Sequence, residues 1–243
     1  MNTPTPLRGL ILAVQFLTRI PTPVIADFQP RDLSRSAVYF PLVGLMIGAA
    51  LLLAFAIGGV VGINVGALFV LITWVWITGG LHLDGLGDMA DALGAAHGKP
   101  ERFHEVLKDP HTGSFAVISI TVLLIAKFVL LAELIGEAMP WGLVLIPAWA
   151  RWATLVWSRL VPPLQTGMAE RFAWEIEWSS IIAWGAALIA ASFYLAPNLL
   201  MALTVVIGGV YYWRWRLGGI TGDGLGASIE VMECVLLLAL VVG

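Results

Sequence analysis

Three aspartates with helical spacing are the residues of this sequence with the most distinctive chemistry. Asp84, Asp88 and Asp91 lie in the stretch GGLHLDGLGDMADAL, which follows a long apolar run. Their i, i+4, i+7 spacing places the carboxylates on one face if the segment is helical. Like charges at this spacing repel each other. Carboxylates often bind Mg²⁺ together with substrate phosphates, so the stretch predicts a metal site, with a solvated acidic face as the alternative.

A second acidic stretch repeats the pattern of the first. GGITGDGLGASIE begins at Gly218 and aligns without gaps on GGLHLDGLGDMAD. In this alignment Asp223 matches Asp84, and Glu230 matches Asp91. Each stretch follows a short apolar segment, and the glycines in both would let a phosphate or another backbone approach closely. We therefore expect the two stretches to come together around shared ions.

The composition is that of an integral membrane protein. Of the 243 residues, 59% are hydrophobic and only 12% are charged, and the mean hydropathy is +0.91. Soluble domains carry about twice that charged fraction. The apolar runs predict an all-α polytopic fold with about seven transmembrane helices. The predicted spans are 37–61, 65–81, 115–135, 141–160, 176–195, 199–213 and 229–242.

The chain is expected to form a single membrane-embedded domain over residues 1–243. The N-terminal segment 1–36 contains an apolar stretch that is short and interrupted by polar residues, so we expect an interfacial or re-entrant helix there. The loop 82–114 carries the first acidic motif, and segment 214–230 carries the second. No basic stripe occurs, so no nucleic-acid partner is expected.

The distribution of cations indicates the orientation in the membrane. With the N-terminus inside, every Lys and Arg except Lys127 and Arg151 falls on one side, and the three interior outside loops contain none. This matches the positive-inside bias, which predicts an inside N-terminus and an outside C-terminus. Both acidic motifs then emerge at the cytoplasmic face.

Lys127 and Arg151 lie within predicted spans. An intramembrane charge costs at least ~2.5–3.5 kcal/mol on insertion scales, so it usually faces a partner or a polar cavity. Two interpretations stay open. The cations either form structural ion pairs with Glu133 or a motif carboxylate, or they line a pocket for an anionic substrate.

The longest inside loop contains the stretch KDPHTGS. The histidines of this loop, His97, His104 and His111, are spaced seven residues apart and no cysteine lies near them, which does not fit a usual zinc site. Asp109 precedes Pro110 and therefore favours an extended or turn conformation. Gly113 and Ser114 offer backbone or hydroxyl donors to a phosphate. An ordinary helix-ending turn is the alternative.

Six stretches, in order along the chain, carry a resemblance to a known family. They are FLTRIPTP, YFPLVGL, GGLHLDGLGDMADAL, KDPHTGSFAV, PAWARWA and GGITGDGLGASIEVMECVLLL. Together they resemble the cobalamin synthase family, the adenosylcobinamide-GDP ribazoletransferases, over nearly the whole chain. Gly87 stands where the family more often has alanine, and PPLQTGMAERFAW only loosely follows the family's glycine-rich counterpart.

This resemblance implies a magnesium-dependent transferase, multi-pass in the bacterial inner membrane, with its active site at the cytoplasmic face. Members of the family join adenosylcobinamide-GDP to α-ribazole, or to its 5′-phosphate, and release GMP. The ribose 3′-hydroxyl attacks the phosphorus attached to the corrinoid aminopropanol. These substrates and the lipid bilayer are the expected partners, and a homo-oligomer or a complex with other corrinoid-assembly enzymes is left open.

The resemblance and the charge pattern together define the candidate site residues. The expected Mg²⁺ ligands are Asp84, Asp88, Asp91 and Asp223. Asp84 is the central catalytic candidate, and either Asp223 or His82 is the candidate base for the ribose hydroxyl. His82 has a second interpretation, in which it orients an aspartate. The candidate substrate contacts are Lys127, Arg151, Asp109, Gly85 and Gly224.

Two other classes of protein remain as alternatives. Membrane enzymes of the CDP-alcohol phosphotransferase type have similarly spaced aspartates and release CMP, but their Asp-Gly-x-x-Ala-Arg opening contains an arginine that DGLGDMAD lacks. A cation-coupled transporter would place its ion ligands near the membrane midplane on broken helices. The carboxylates of this chain are instead predicted at the cytoplasmic ends of spans.

Overall fold

The computed structural model describes residues 6–25, 29–96, 100–135, 140–164, 166–167, 170 and 175–243. His97, Lys99 and Arg171, which entered the sequence predictions, lie outside these residues. Within the described residues the fold is all-α, as predicted, and the only β contact is an isolated bridge between Pro163 and Ile220. The helices are α1 (Pro6–Leu17), α2 (Pro30–Ser36), α3 (Phe40–Gly58), α4 (Ile63–Thr78), α5 (Leu81–Ala96), α6 (Pro100–Val106), α7 (Ser114–Leu134), α8 (Leu145–Leu160), α9 (Trp178–Leu195), α10 (Ala202–Arg216) and α11 (Gly222–Val242).

The described helices provide four or five candidate membrane spans. Four are long and apolar enough alone: the stretch Arg31–Gly58, α7, α9 and α11. Helices α4 and α5 add a fifth if they form one broken span, since they meet at an angle of 86°. The sequence predicted about seven. The other predicted crossings correspond to α8, with 16 residues, and α10, with 15, so their spanning stays a prediction.

Helix α8 lies at the centre of the bundle, where almost every side chain from Leu145 to Ser158 is buried. It packs against α3, α9, α10 and α11. The contact with α3 is close because small residues face it: a Cβ added at Gly44 would lie 2.5 Å from the Cα of Ala148. A Cβ at Gly48 would collide with the backbone of Val144. Small residues spaced by four permit such an approach of helices in a bilayer.

The bend between α4 and α5 depends on two glycines in the left-handed region. Gly79 has φ +64° and Gly80 has φ +71°, values that strain other residues. A Cβ at Gly79 would also collide with the side chain of Arg19, whose backbone N–H donates to the carbonyl of Ile77 at 2.8 Å. The bend directs α5 along α11 and α7. The first acidic motif is thereby placed inside the helix bundle, next to the second.

Helix α1 packs against α2 and α3 rather than standing alone. It has 12 residues, fewer than a bilayer crossing requires, which agrees with the predicted short N-terminal helix. Its buried residues include Leu12, Val14 and Leu17, and they face the bundle. The interfacial position of α1 stays a prediction.

Candidate active site

The first acidic motif forms α5, so its aspartates have the helical spacing that the sequence analysis required. They do not share one environment. Asp84 is exposed, Asp88 is half-buried and Asp91 is buried. Within the described part of the chain, Asp84 and Asp88 accept no hydrogen bond from a protein donor. These two carboxylates are therefore available to a ligand or a cation.

The second acidic motif forms the first turn of α11 and lies against the first motif. Thr221 is the N-cap residue, and its hydroxyl oxygen accepts from the backbone N–H of Gly224 at 3.0 Å. The same first turn carries Asp223, which is half-buried. A Cβ added at Gly85 would lie 3.0 Å from the carbonyl oxygen of Asp223. Gly85 is thus required for a close backbone approach, and that approach brings Asp84 and Asp223 onto adjoining turns.

Asp91 has a structural partner instead of an open coordination position. Its carboxylate accepts from the backbone N–H groups of Gly113 at 2.6 Å and of Ala116 at 3.0 Å. These donors belong to the first turn of α7 and have no partner within that helix. Asp91 therefore caps α7 from a neighbouring helix. Its predicted role as an Mg²⁺ ligand finds no support in these contacts.

No preformed cage for a metal is found in the described residues: no three Asp, Glu, His or Cys side chains there lie close enough together to hold an ion. Asp84, Asp88 and Asp223 remain as carboxylates without a protein cation beside them in the described residues. This arrangement fits Mg²⁺ in the form in which proteins usually bind it, with one or two carboxylates, several waters and the phosphates of a substrate.

A buried charge network links α5, α7, α8 and α11 beneath the acidic turns. Lys127 donates to Glu230 at 2.7 Å and to Glu233 at 2.8 Å. Glu233 also accepts from Nη1 of Arg151, whose Nη2 lies 3.3 Å from Nδ1 of His82. All five side chains are at least 95% buried. Two cations and two carboxylates therefore balance each other in a buried region.

This network shows that both intramembrane cations form ion pairs, and their contact with a substrate stays a prediction. Lys127 is a structural ion-pair partner of the motif carboxylate Glu230, not of Glu133, and its ammonium also lies 4.4 Å from the ring centroid of Trp74. Arg151 is paired as well, but it also lines a cavity. Glu233 was missed by the sequence analysis. The signal that could have found it is charge balance, because two intramembrane cations need two carboxylates and Glu233 lies in the apolar segment that follows the second motif.

A cavity of about 200 Å³ lies beside the acidic turns, between α1, α3, α5, α8 and α11. Its polar lining includes His82, Arg151 and Asp223, and Gly85 also contributes to the wall. Phe16 and the first residue of α3 contribute aromatic surface. A candidate metal ligand, a buried cation and an apolar surface thus meet in one concave site, which is the usual form of a small-molecule site.

Two further predicted contacts lie outside this cavity. Asp109 is exposed, and both Nδ1 and the backbone N–H of His111 lie near its Oδ1, at 2.6 and 3.0 Å. These hydrogen bonds lower the pKa of Asp109. Gly224 is buried and contributes a backbone donor to the cap of α11. Substrate contacts of Asp109 and Gly224 stay predictions.

Apolar helices long enough to span a membrane, unpaired carboxylates on two adjoining turns and a cavity next to them are the features of a polytopic membrane protein with one candidate small-molecule site. Comparison with known sequences identifies the family. The model of the cobalamin-5-phosphate synthase family matches residues 9–241, and the chain belongs to that family. The resemblance inferred from the six motifs is thereby confirmed, and the CDP-alcohol phosphotransferase and transporter alternatives are set aside.

Close relatives share almost the whole length of the chain. A Thiobacillus denitrificans protein is 52% identical, over 96% of this chain and 94% of that protein. A Laribacter hongkongensis protein is 50% identical, over 97% of each. A Pseudomonas aeruginosa protein is 37% identical, over 96% of this chain and 98% of that protein. All three are named adenosylcobinamide-GDP ribazoletransferase. No solved structure matches the chain.

Proposed function

We propose that this protein is an adenosylcobinamide-GDP ribazoletransferase. It joins adenosylcobinamide-GDP to α-ribazole, or to its 5′-phosphate, and produces adenosylcobalamin, or its 5′-phosphate, with release of GMP. The names of the relatives support this proposal. The single structural observation that carries it is the close approach of Gly85 to the backbone of Asp223, where an added Cβ would lie 3.0 Å from the carbonyl oxygen; this approach puts two acidic turns beside one cavity.

The protein uses Mg²⁺ in this proposal, and each ion is bound by one or two of the carboxylates Asp84, Asp88 and Asp223 together with the diphosphate. The donor set fits such an ion because Asp84 and Asp88 accept no protein hydrogen bond in the described residues and because carboxylate oxygens are hard ligands. Asp91 is left out of the set, since its oxygens cap α7. Bound Mg²⁺ supplies charge neutralisation at the phosphates that react.

The reaction is a displacement at phosphorus. The 3′-oxygen of the ribose forms a bond to the phosphorus attached to the aminopropanol, and the bond from that phosphorus to the bridging oxygen breaks, with GMP as the leaving group. Such chemistry depends mainly on positioning and on electrostatic stabilisation. The chain orients the two substrates between α5 and α11, where Gly85 and Asp223 line the same cavity.

The proton of the attacking hydroxyl goes to a carboxylate oxygen of Asp223. The other candidate base, His82, is already occupied at Nδ1, because a guanidinium can only donate and Nη2 of Arg151 lies 3.3 Å away. The neutral imidazole therefore carries its proton on Nε2, which makes it a donor. Asp223 lines the cavity and is half-buried, so a hydroxyl held there can reach it.

The orientation of the protein follows the positive-inside bias. Its N-terminus and both acidic turns face the cytoplasm of a bacterial cell, and the spans lie in the inner membrane. The cations near the acidic turns include Arg214 and Arg216 in the last turn of α10, just before the second motif. The nucleotide substrate is present on that side.

The test is turnover by the purified protein in detergent with adenosylcobinamide-GDP, α-ribazole and Mg²⁺. We expect stoichiometric formation of a complete corrinoid and GMP, loss of both products in EDTA, and recovery when Mg²⁺ is restored. Replacement of the donor by CDP-activated alcohols serves as the control and should give no CMP. Equal rates with and without chelator would refute the role of the metal, and an absence of complete corrinoid would refute the transferase itself.

A further inference from the structure

The cavity beside the acidic turns is too small to enclose a whole substrate. Its volume is about 200 Å³, whereas sites that enclose a drug-sized ligand measure roughly 300–1,000 Å³. Phe16 and Phe40 line it and stack on each other, with ring centroids 5.8 Å apart and an interplanar angle of 12°. Leu225 and Ile229 extend the apolar lining. The cavity therefore suits one flat, mostly apolar portion of a ligand.

The polar lining of the cavity consists largely of hydrogen-bond donors. Arg151 is fully buried, and its Nε has no partner among the described residues. Its Nη1 is fixed by Glu233 and its Nη2 faces Nδ1 of His82 at 3.3 Å. Because the guanidinium can only donate, Nδ1 of His82 accepts and Nε2 carries the proton. His82 is 4% exposed and lines the cavity, where Nε2–H has no protein acceptor in the described residues.

We propose, on the basis of the proposed function, that this cavity binds the heterocyclic base of the acceptor nucleoside, and that Nε2–H of His82 donates to the free ring nitrogen of that base. Arg151 and Glu233 are positioning residues that hold His82 in this tautomer. The site therefore determines specificity for the acceptor. The corrinoid and the guanosine diphosphate lie outside it, on the side of the exposed Asp84.

The chemistry of α-ribazole matches this lining. Its dimethylbenzimidazole is flat and apolar, and after attachment to ribose it has one hydrogen-bonding atom, a nitrogen lone pair. Guanine carries N–H donors on its edge as well, and the carboxylate that could accept from them in this lining, Asp223, is assigned to the 3′-hydroxyl in the proposed reaction. In an α-nucleoside the base and the 3′-hydroxyl are on the same face of the ribose. A base held beside His82 thus directs the hydroxyl to Asp223, which lines the same cavity.

The first measurement compares α-ribazole with the α-riboside of dimethylindole, which has the same shape and lacks the free ring nitrogen. With wild-type protein we expect KM for the indole riboside to be about tenfold higher, the effect of one unmade hydrogen bond to a buried donor. KM for adenosylcobinamide-GDP should change less than twofold. A change in KM for the acceptor without a change in KM for adenosylcobinamide-GDP is an effect that general destabilisation of the fold does not produce.

The second measurement repeats the comparison in variants. His82→Phe should raise KM for α-ribazole about tenfold and abolish the discrimination between the two ribosides, since the donor is gone. His82→Gln keeps an N–H donor and should restore part of the discrimination. His104→Phe, the same replacement in α6 and outside the cavity lining, is the matched control and should keep the full discrimination. If His82→Phe does not fold, the wild-type and His82→Gln results decide.

Three results would overturn the inference. The first is turnover of α-ribazole with equal KM for both ribosides, which leaves the transferase in place and removes the base site. The second is discrimination that persists in His82→Phe. The third is inhibition by GMP that is competitive with α-ribazole and becomes weaker in His82→Phe. This result would assign the cavity to guanine. A protein that does not turn over α-ribazole at all would refute the proposed function and this inference with it.

Discussion

The two acidic turns of this protein have nearly the same sequence pattern and different structural surroundings. Both follow glycines with positive φ, Gly79 and Gly80 in one case and Gly218 in the other, and both then start a helix. After the first turn, α5 is the second half of a bent pair with an angle of 86°. After the second turn, α11 continues for 21 residues as a candidate span. The first turn lies at the break of a bent pair of helices, and the second begins a continuous helix.

The matching positions of the two turns also have different partners. Asp91 caps the N-terminus of α7, whereas its counterpart Glu230 pairs with Lys127. His82 lines the cavity, whereas its counterpart Thr221 caps α11. The position of Asp88 is alanine in the second turn. The pair Asp84 and Asp223 is the part of the pattern in which both members remain open to a ligand.

The comparison shows what the two turns share in the structure: their backbones approach each other closely, and each turn has one carboxylate that remains open, Asp84 or Asp223. The closing carboxylates hold the bundle together instead. Each of them balances groups on α7, at its N-terminus for Asp91 and at Lys127 for Glu230. The two motifs therefore contact α7 at two positions along its length, at its first turn and at Lys127. We infer that the repeated pattern contains two pairs of carboxylates with different roles. The outer pair, Asp84 and Asp223, binds ligand, and the inner pair, Asp91 and Glu230, sets helix positions.

The largest expected effect concerns the outer pair. Asp84→Asn and Asp223→Asn should each lower kcat about 10³-fold, which corresponds to about 4 kcal/mol in the transition state, because each removes a charge that is required at the phosphates. GMP release measures the rate. Normal insertion and an unchanged unfolding temperature are the controls for both variants. A wild-type rate in either variant would show that the symmetry of the outer pair has no functional meaning.

The approach of the two motifs was predictable, and the partners of their closing residues were not. Helical spacing and the gapless alignment predicted that Asp84 and Asp223 meet, and both lie on adjoining turns of α5 and α11. The residues around Asp91 in the sequence do not show whether its carboxylate caps a helix or binds a metal. That distinction depends on the position of the N-terminus of α7, more than 20 residues later in the chain.

Hydropathy alone also could not establish the number of membrane spans. The segment that forms α8 is apolar with two arginines, Arg151 and Arg159, and hydropathy does not distinguish a helix that faces lipid from one enclosed by other helices. Buried glycines on α3, such as Gly44, bring α8 into the centre of the bundle. The pairing of Arg151 with Glu233 required the same tertiary information. Charge balance alone pointed to the existence of a partner, not to which span contains it.

The next effect concerns stability at the inner pair. Lys127→Met leaves Glu230 without its cation in a buried environment and should destabilise the protein by about 3–5 kcal/mol. The double variant Lys127→Met/Glu230→Gln removes the unpaired charge and should recover most of that loss. Unfolding in detergent by denaturant measures both. If the double variant were no more stable than the single one, the pairing of the second turn with α7 would not be a charge effect.

A smaller contrast separates Asp88 from Asp91 within the first turn. Asp88→Asn should raise the Mg²⁺ concentration needed for half-maximal rate about tenfold, because one open carboxylate is lost. Asp91→Asn should leave that concentration unchanged and lower the free energy of unfolding by about 1 kcal/mol, the usual value of a helix cap. Each variant is the control for the other. A shift of the Mg²⁺ requirement in Asp91→Asn would return Asp91 to the set of metal ligands.

The smallest effect concerns the glycines that follow the two outer aspartates. Gly85→Ala would place a Cβ 3.0 Å from the carbonyl oxygen of Asp223, and a backbone atom can yield only if α5 and α11 separate by a few tenths of an ångström. We expect a loss of a few-fold in kcat, because the outer carboxylates move apart. Gly224→Ala meets side-chain atoms instead, Cγ1 of Ile220 at 3.1 Å and Oγ1 of Thr221 at 3.3 Å, and side chains adjust more easily. Its loss in kcat should therefore be smaller, and the reverse order would place the critical contact on the second turn.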